Sequence, residues 1–147
     1  MTYLEYKIAA KKHYKTSKCL YEKCNNSDWQ IQENIFYLCG YIIEMMIKYQ
    51  IFVSINYDRS KNVDEINSNG ITKQDISRGK KAHNIYSLSQ LLKKYRGDKI
   101  IDEIIDNFSE WDVSIRYNGK KENYDTLNLD VNNLLTLSQK AIEELGR

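Results

Sequence analysis

The sequence predicts an all-α protein, an antiparallel bundle of about five helices with a long hydrophobic second helix at its centre. Three observations lead there. The 147 residues include no proline and only six glycines, so little interrupts long helices. Apolar residues recur at three- and four-residue steps in several segments, and no segment sustains the alternation of a half-buried strand. Capping-box patterns, a Ser or Thr followed three residues later by Glu or Gln, precede the first two of these segments.

The first helix is expected over residues 2–24. Thr2 and Glu5 form its capping box, and its inward stripe runs through Tyr6, Ala10, His13/Tyr14, Ser17, Leu20/Tyr21 and Cys24. Lys7, Lys11, Lys15 and Lys18 form a ridge of ammonium groups on another face. Ser27 and Gln30 then launch the second helix, from Trp29 to about Ile55. It is the most apolar stretch, and Phe36, Ile43, Ile47 and Ile51 should be buried in the middle of the fold. Residues 56–82 are polar, rich in Asn and only weakly periodic, and read as a long loop of the kind that is functional or mobile. A third helix should cover about 84–96 and bury Ile85, Leu88, Leu91/Leu92 and Tyr95. Gly97 suits its C′ position, and Asp98 caps a fourth helix that runs to about Tyr117. That helix should bury Ile101, Ile104/Ile105, Phe108, Trp111 and Ile115. The stretch NGKKEN reads as a turn. A fifth helix over about 127–145 should bury Val131, Leu134/Leu135, Ser138, Ala141/Ile142 and Leu145.

A chain of this length forms one domain, residues 1–147, able to bury about 70% of its unfolded surface. The wealth of Asn, Ile, Lys and Tyr matches a low-GC prokaryotic coding bias. Cys19, Cys24 and Cys39 have no CxxC spacing and cannot all pair, which fits reduced thiols in the cytoplasm. The N-terminus has no continuous apolar core of the kind a signal peptide needs. Residues 35–55 are long enough to span a membrane, but Glu44, Lys48 and Gln50 inside the run favour a buried helix of a soluble protein, so no membrane partner is expected.

The formal net charge of +2 conceals local asymmetry. Counting Lys and Arg against Asp and Glu, residues 1–24 carry +4 and 59–97 carry +6, whereas 25–58 carry −3 and 98–147 carry −5. Basic segments of this size point to a polyanion. Walker A, GxGxxG and nucleophile-elbow patterns are absent, and the two histidines have no acidic neighbours at metal-ligand spacing, so no metal and no other cofactor is expected. The twelve tyrosines either stack bases or sit in the core with a wet hydroxyl.

The order GYIIEMMIK, basic loop, AHNIYSLSQLL and WDVSIRY, over roughly residues 30–120, resembles the HEPN superfamily. Its members are small helical bundles found beside minimal nucleotidyltransferases, in toxin–antitoxin pairs and in antiviral defence systems. The resemblance matches Glu44 and Lys48 to a Glu and a Lys four residues apart, whose carboxylate helps to position basic residues near a two-fold dimer cleft. On physical grounds alone, Glu four residues before Lys is the favourable order for an ion pair along a helix, worth about 0.2–0.5 kcal/mol when exposed. Buried, each charge costs several kcal/mol unless partnered, and Arg116 or Lys18 are candidates for that role. The alternative places both at the rim, with Lys48 snorkelling to water.

HEPN ribonucleases use an Arg, four to six intervening residues and a His, without a metal. The imidazole shuttles a proton and the guanidinium steadies charge on the phosphorane. Arg78 and His83 have that spacing, although His83 also suits a cap or packing position at the start of the third helix. Arg116 stands where the family's motif more usually falls, but Lys121, Glu122 and Asn123 occupy the positions where its His is expected. The resemblance thus implies a dimeric RNA- or nucleotide-binding protein of a toxin–antitoxin or defence system, with a nucleotidyltransferase or antitoxin as a possible partner. Arg78, His83 and Arg116 are its candidate catalytic groups, and Lys80, Lys81, Arg116 and Tyr117 its candidate nucleic-acid contacts. A metal-independent endoribonuclease using Arg78/His83 or Arg116 is the first alternative, and a protein-interaction module without catalysis the second.

Overall fold

Helix α2, Trp29–Ser54, is the axis on which the rest of the chain packs. The computed structural model describes residues 1–23 and 28–147. Every residue from 42 to 52 is buried, including the expected Ile43, Ile47 and Ile51, and so is Phe36. α2 is long and apolar enough to cross a membrane, but its surface is covered by the other helices. Ser27 lies outside the described residues; the N-cap is Asp28, whose Oδ1 accepts from the backbone N–H of Gln30 (3.1 Å) and Ile31 (3.2 Å).

Around α2 lie α1 (Leu4–Lys23), α3 (Lys73–Ile76), α4 (Ile85–Lys93), α5 (Lys99–Phe108), α6 (Lys121–Asp125) and α7 (Val131–Glu144). α1, α4 and α7 pack directly on α2, and α5 bridges α4 and α7. The architecture is all-α, with seven α-helices among the described residues rather than five. α1 presents Tyr6, Ala10 and Ser17 to the core. α5 buries Ile100, Ile101, Ile104 and Phe108, and α7 buries Val131, Leu134, Leu135, Leu137, Ser138 and Ala141.

Three expectations need correction. The fourth predicted helix does not reach Tyr117: α5 ends at Phe108, and residues 113–117 form a separate 3-10 turn. Asp112 makes the break, since its backbone is extended and its Oδ1 accepts the Ser114 N–H at 2.8 Å. Trp111 is buried as expected, but through another route. Its Nε1 donates to the Tyr37 carbonyl (3.1 Å), its ring stacks on Tyr37 at 6.2 Å, and it covers Gly40 of α2. Second, the third helix stops at Lys93, and Tyr95 is exposed. The fifth starts at Val131, capped by Asp130, while part of the NGKKEN turn is helical as α6.

Third, residues 56–82 are folded. A two-stranded antiparallel hairpin pairs β1 (Asn67–Ser68) with β2 (Ile71–Thr72) around Asn69 and Gly70, both at positive φ (54° and 73°). Asn-Gly in a two-residue loop is the residue pair a type I′ hairpin requires. Thr72 donates its backbone N–H to Asp75 Oδ2 at 2.9 Å, which starts α3. Val63, Ile66, Ile71, Ile76 and Ala82 pin the segment to the core.

Gly40 is required by close approach, because a Cβ there would overlap the Trp111 indole. Gly40→Ala is expected to destabilise the protein by about 1–3 kcal/mol, the ordinary cost of overpacking a filled site. Urea unfolding measures this, and unchanged stability would contradict the seat of Trp111.

Candidate functional site

Tyr37, Tyr41, Glu44 and Lys48 are spaced i, i+4, i+7 and i+11, so they form one stripe along α2. Two segments remote in sequence dock on that stripe. The turn Lys80–His83 reaches Glu44, and the turn Val113–Tyr117 packs against α2 and interacts with Tyr37 and Tyr41.

Glu44 is only 2% exposed and Lys48 3%, so neither sits at the rim. Glu44 Oε1 accepts from Lys48 Nζ at 2.6 Å and lies 3.0 Å from His83 Nδ1. A carboxylate facing an ammonium only accepts, so His83 Nδ1 is the donor in that contact and the ring's Nε2 lies outside it. His83 itself is partly exposed. It is not the cap of α4, which is Asn84, accepting the Ser87 N–H at 2.8 Å. The second Glu44 oxygen, Oε2, is buried and has no hydrogen-bond partner among the described residues. Lys48 Nζ lies 5.8 Å from the ring centre of Tyr6 on α1. Burial first, and the Glu44 carboxylate second, raise the Tyr6 hydroxyl well above the usual tyrosine range. The same two causes push Tyr41 up, against a smaller opposing pull from Arg116. His13 stands edge-on to Tyr41 at 5.5 Å, and burial lowers its imidazole.

Arg116 is exposed, and its guanidinium lies 4.6 Å from the centre of the Tyr117 ring with Nη2 2.5 Å from the Tyr117 hydroxyl. That hydroxyl, and after it Tyr37, hold Arg116 more firmly in its charged form. Trp111 on Tyr37 and Asn118, which donates to buried Glu33, fix the turn on either side of it. Tyr117, 75% exposed, is the most exposed large ring of the chain among the described residues.

The structure therefore brings His83, Glu44 and Lys48 together, and sets Arg116, on the turn that packs against α2, near Tyr37 of the same stripe. It takes Arg78 elsewhere. Arg78 Nη2 pairs with Asp64 Oδ2 at 2.7 Å, and Ser77 Oγ donates to the other oxygen at 2.7 Å. These two contacts hold the Asp64 carboxyl below its usual range. Lys18 is exposed on α1, and the partner that reaches Glu44 from outside α2 is His83.

Lys80 and Lys81 are exposed and form no ion pair among the described residues. Lys81 continues into a groove of about 350 Å³ along α4, with Asp75, Tyr86, Ser87, Gln90 and Lys94. Tyr86 is 58% exposed there. Sequence reasoning missed His13, Tyr41, Tyr86 and Lys94. The spacing of Tyr37 and Tyr41 with Glu44 was the available signal for the α2 stripe. No family model matches the chain, and no curated protein or solved structure is found similar to it.

Lys48→Met leaves Glu44 buried without its ammonium and is expected to cost about 3–5 kcal/mol. Replacing both partners together, Glu44→Gln with Lys48→Met, should cost clearly less, because the uncompensated charge is gone. Denaturant unfolding of the wild type and these two variants checks this, and an equal or larger loss in the double variant would contradict the pairing.

Proposed function

We propose that the protein is a HEPN-like RNA-binding protein that acts as a two-fold dimer in a prokaryotic toxin–antitoxin or defence system, with a nucleotidyltransferase or antitoxin as its partner. One observation carries this reading: two exposed lysines outside any ion pair among the described residues, Lys80 and Lys81, sit on a turn that the buried Glu44 holds through His83. Their ammonium groups are thus open to phosphate, although Lys81 shares its groove with Asp75. Tyr86 beside Lys81, and Tyr117 under the Arg116 guanidinium, are exposed rings of the kind that stack unpaired bases. A flexible side chain loses much entropy on binding, and a turn already anchored in the core loses less.

A second reading, RNA cleavage, is favoured by a separate observation. With Nδ1 committed to Glu44, His83 presents its other nitrogen to take a proton from a ribose hydroxyl, and Arg116, whose charge is felt by Tyr41 one turn before Glu44, is the candidate guanidinium. Arg78, engaged with Asp64, is the weaker candidate.

Fluorescence polarisation with single-stranded RNA tests the binding reading. Lys80→Ala with Lys81→Ala should weaken binding and flatten its salt dependence by about 1.4 units of slope, two single-strand phosphate contacts. Tyr117→Ala should weaken it by about 1–3 kcal/mol if that ring stacks a base. If none of these changes alters RNA or nucleotide binding, the protein-interaction reading replaces this one. Cleavage predicts activity in EDTA, products ending in 2′,3′-cyclic phosphate, and a loss of about 10²–10⁴ in rate for His83→Ala. An inactive wild-type protein that still binds RNA removes cleavage and keeps binding. Light scattering at micromolar concentration should return about twice 17.4 kDa, and a clean monomer would contradict the dimer.

A further inference from the structure

Where α2 ends, a separate cavity of about 330 Å³ opens between α1, α2 and the end of α7. Tyr3, Tyr49, Asn56, Tyr57, Arg59 and Arg147 line it. Tyr49 and Val53 lie about a third of a turn around α2 from the stripe that carries Glu44, so this cavity has a different face. We propose that it binds a phosphate monoester, a site that goes beyond the RNA reading and does not depend on it.

Three features converge on an oxyanion. Arg59 and Arg147 carry no ion pair among the described residues, and no Asp or Glu side chain lines the cavity, although Arg147 also borders a neighbouring pocket with Asp98 and Glu144. The nearest acid in sequence, Asp58, is occupied by the Ser60 N–H (2.9 Å) and hydroxyl (2.7 Å). Tyr3 and Tyr49 are 3% and 8% exposed, yet their hydroxyls have no hydrogen-bond partner among the described residues. The rings are buried but the hydroxyl oxygens are not sealed off, so each can donate to an acceptor that enters the cavity. Their rings are locked by Phe52, which stacks on Tyr3 at 5.6 Å, and by the Tyr3–Tyr49 contact at 5.8 Å, so the hydroxyls are held in place. Lys7 adds positive charge nearby, with Nζ 5.3 Å from the centre of the Tyr49 ring.

The carbonyl end of α2 works against an anion here. Its last carbonyls are already engaged, Phe52 O by the Tyr57 N–H and Val53 O by the Asn56 N–H, both at 3.0 Å. A helix terminus is in any case a weaker influence than a single guanidinium hydrogen bond. Two guanidiniums and two hydroxyls match the charge and acceptor count of a phosphate monoester better than those of a carboxylate.

Titration with inorganic phosphate and with ribose 5-phosphate, at constant ionic strength set by chloride and followed by calorimetry, tests the site on the whole chain. Both should bind saturably, and ribose should not. Arg59→Gln, on an exposed side chain, should weaken both about tenfold, and Tyr49→Phe, which keeps the ring, about fivefold. Lys80→Ala with Lys81→Ala should leave them unchanged, so that failure of the RNA reading and failure of this one are distinguishable. Paired oligoribonucleotides with a 5′-phosphate or a 5′-hydroxyl identify the source. An Arg59-dependent preference for the phosphorylated end assigns the site to RNA termini, and its absence assigns it to a small ester. No saturable phosphate binding below about 10 mM, equal binding by ribose, or an Arg59→Gln variant that binds like wild type would each overturn the proposal.

Discussion

The carboxylate of Glu44 is the constraint around which this fold is organised. It sits in the middle of the most apolar helix, 2% exposed, where an unpartnered charge would cost several kcal/mol. Lys48 on the next turn of α2 supplies the opposite charge, and His83, 39 residues away in sequence, supplies a second donor. The consequences reach three other elements. Lys48 lies over Tyr6 and so ties the pair to α1. His83 fixes the turn that leads into α4, and with it the exposed Lys80 and Lys81. Tyr41, one turn before Glu44, meets His13 and feels Arg116. A helix built only for burial would carry Leu or Met at 44 and 48; the charges retained there fix which segments dock and where.

Much of the helical frame was legible in the sequence because amphipathic periodicity survives tertiary packing. α1, α2 and α7 begin and end within a few residues of where the apolar stripes place them. The overshoot of the fourth helix has a clear physical origin. Phe108, Trp111 and Ile115 keep the period of a helix, but Asp112 offers its side chain to Ser114 and wins the backbone locally, while Trp111 finds its burial against Gly40 from outside a helix. The hairpin at 67–72 was overlooked although Asn69-Gly70 is the strongest two-residue hairpin signal a sequence offers. Its strands are two residues long, too short for alternation to show.

The candidate site was less legible, for a different reason. Spacing along the chain drew attention to Arg78 and His83, but partners in space decide their roles. Asp64 engages Arg78, whereas Glu44, on another helix, engages His83. No local pattern announces a contact across 39 residues. Likewise, the unpartnered hydroxyls of Tyr3 and Tyr49 become informative only when the cavity they face is seen. α2 emerges as a scaffold with two polar faces, one holding the basic turn through a buried carboxylate and the other closing a tyrosine-lined, arginine-rich cavity at its end.

The Glu44–His83 contact is the link between the core and the proposed RNA face, and the ring nitrogens of His83 report it directly. Nitrogen-15 NMR of the imidazoles above neutral pH distinguishes the two tautomers. The account predicts that His83 carries its proton on Nδ1, that Glu44→Gln moves the His83 signals much more than those of His13, and that single-stranded RNA shifts the free Nε2. A His83 ring protonated mainly on Nε2, as in free histidine, and indifferent to Glu44→Gln would contradict it.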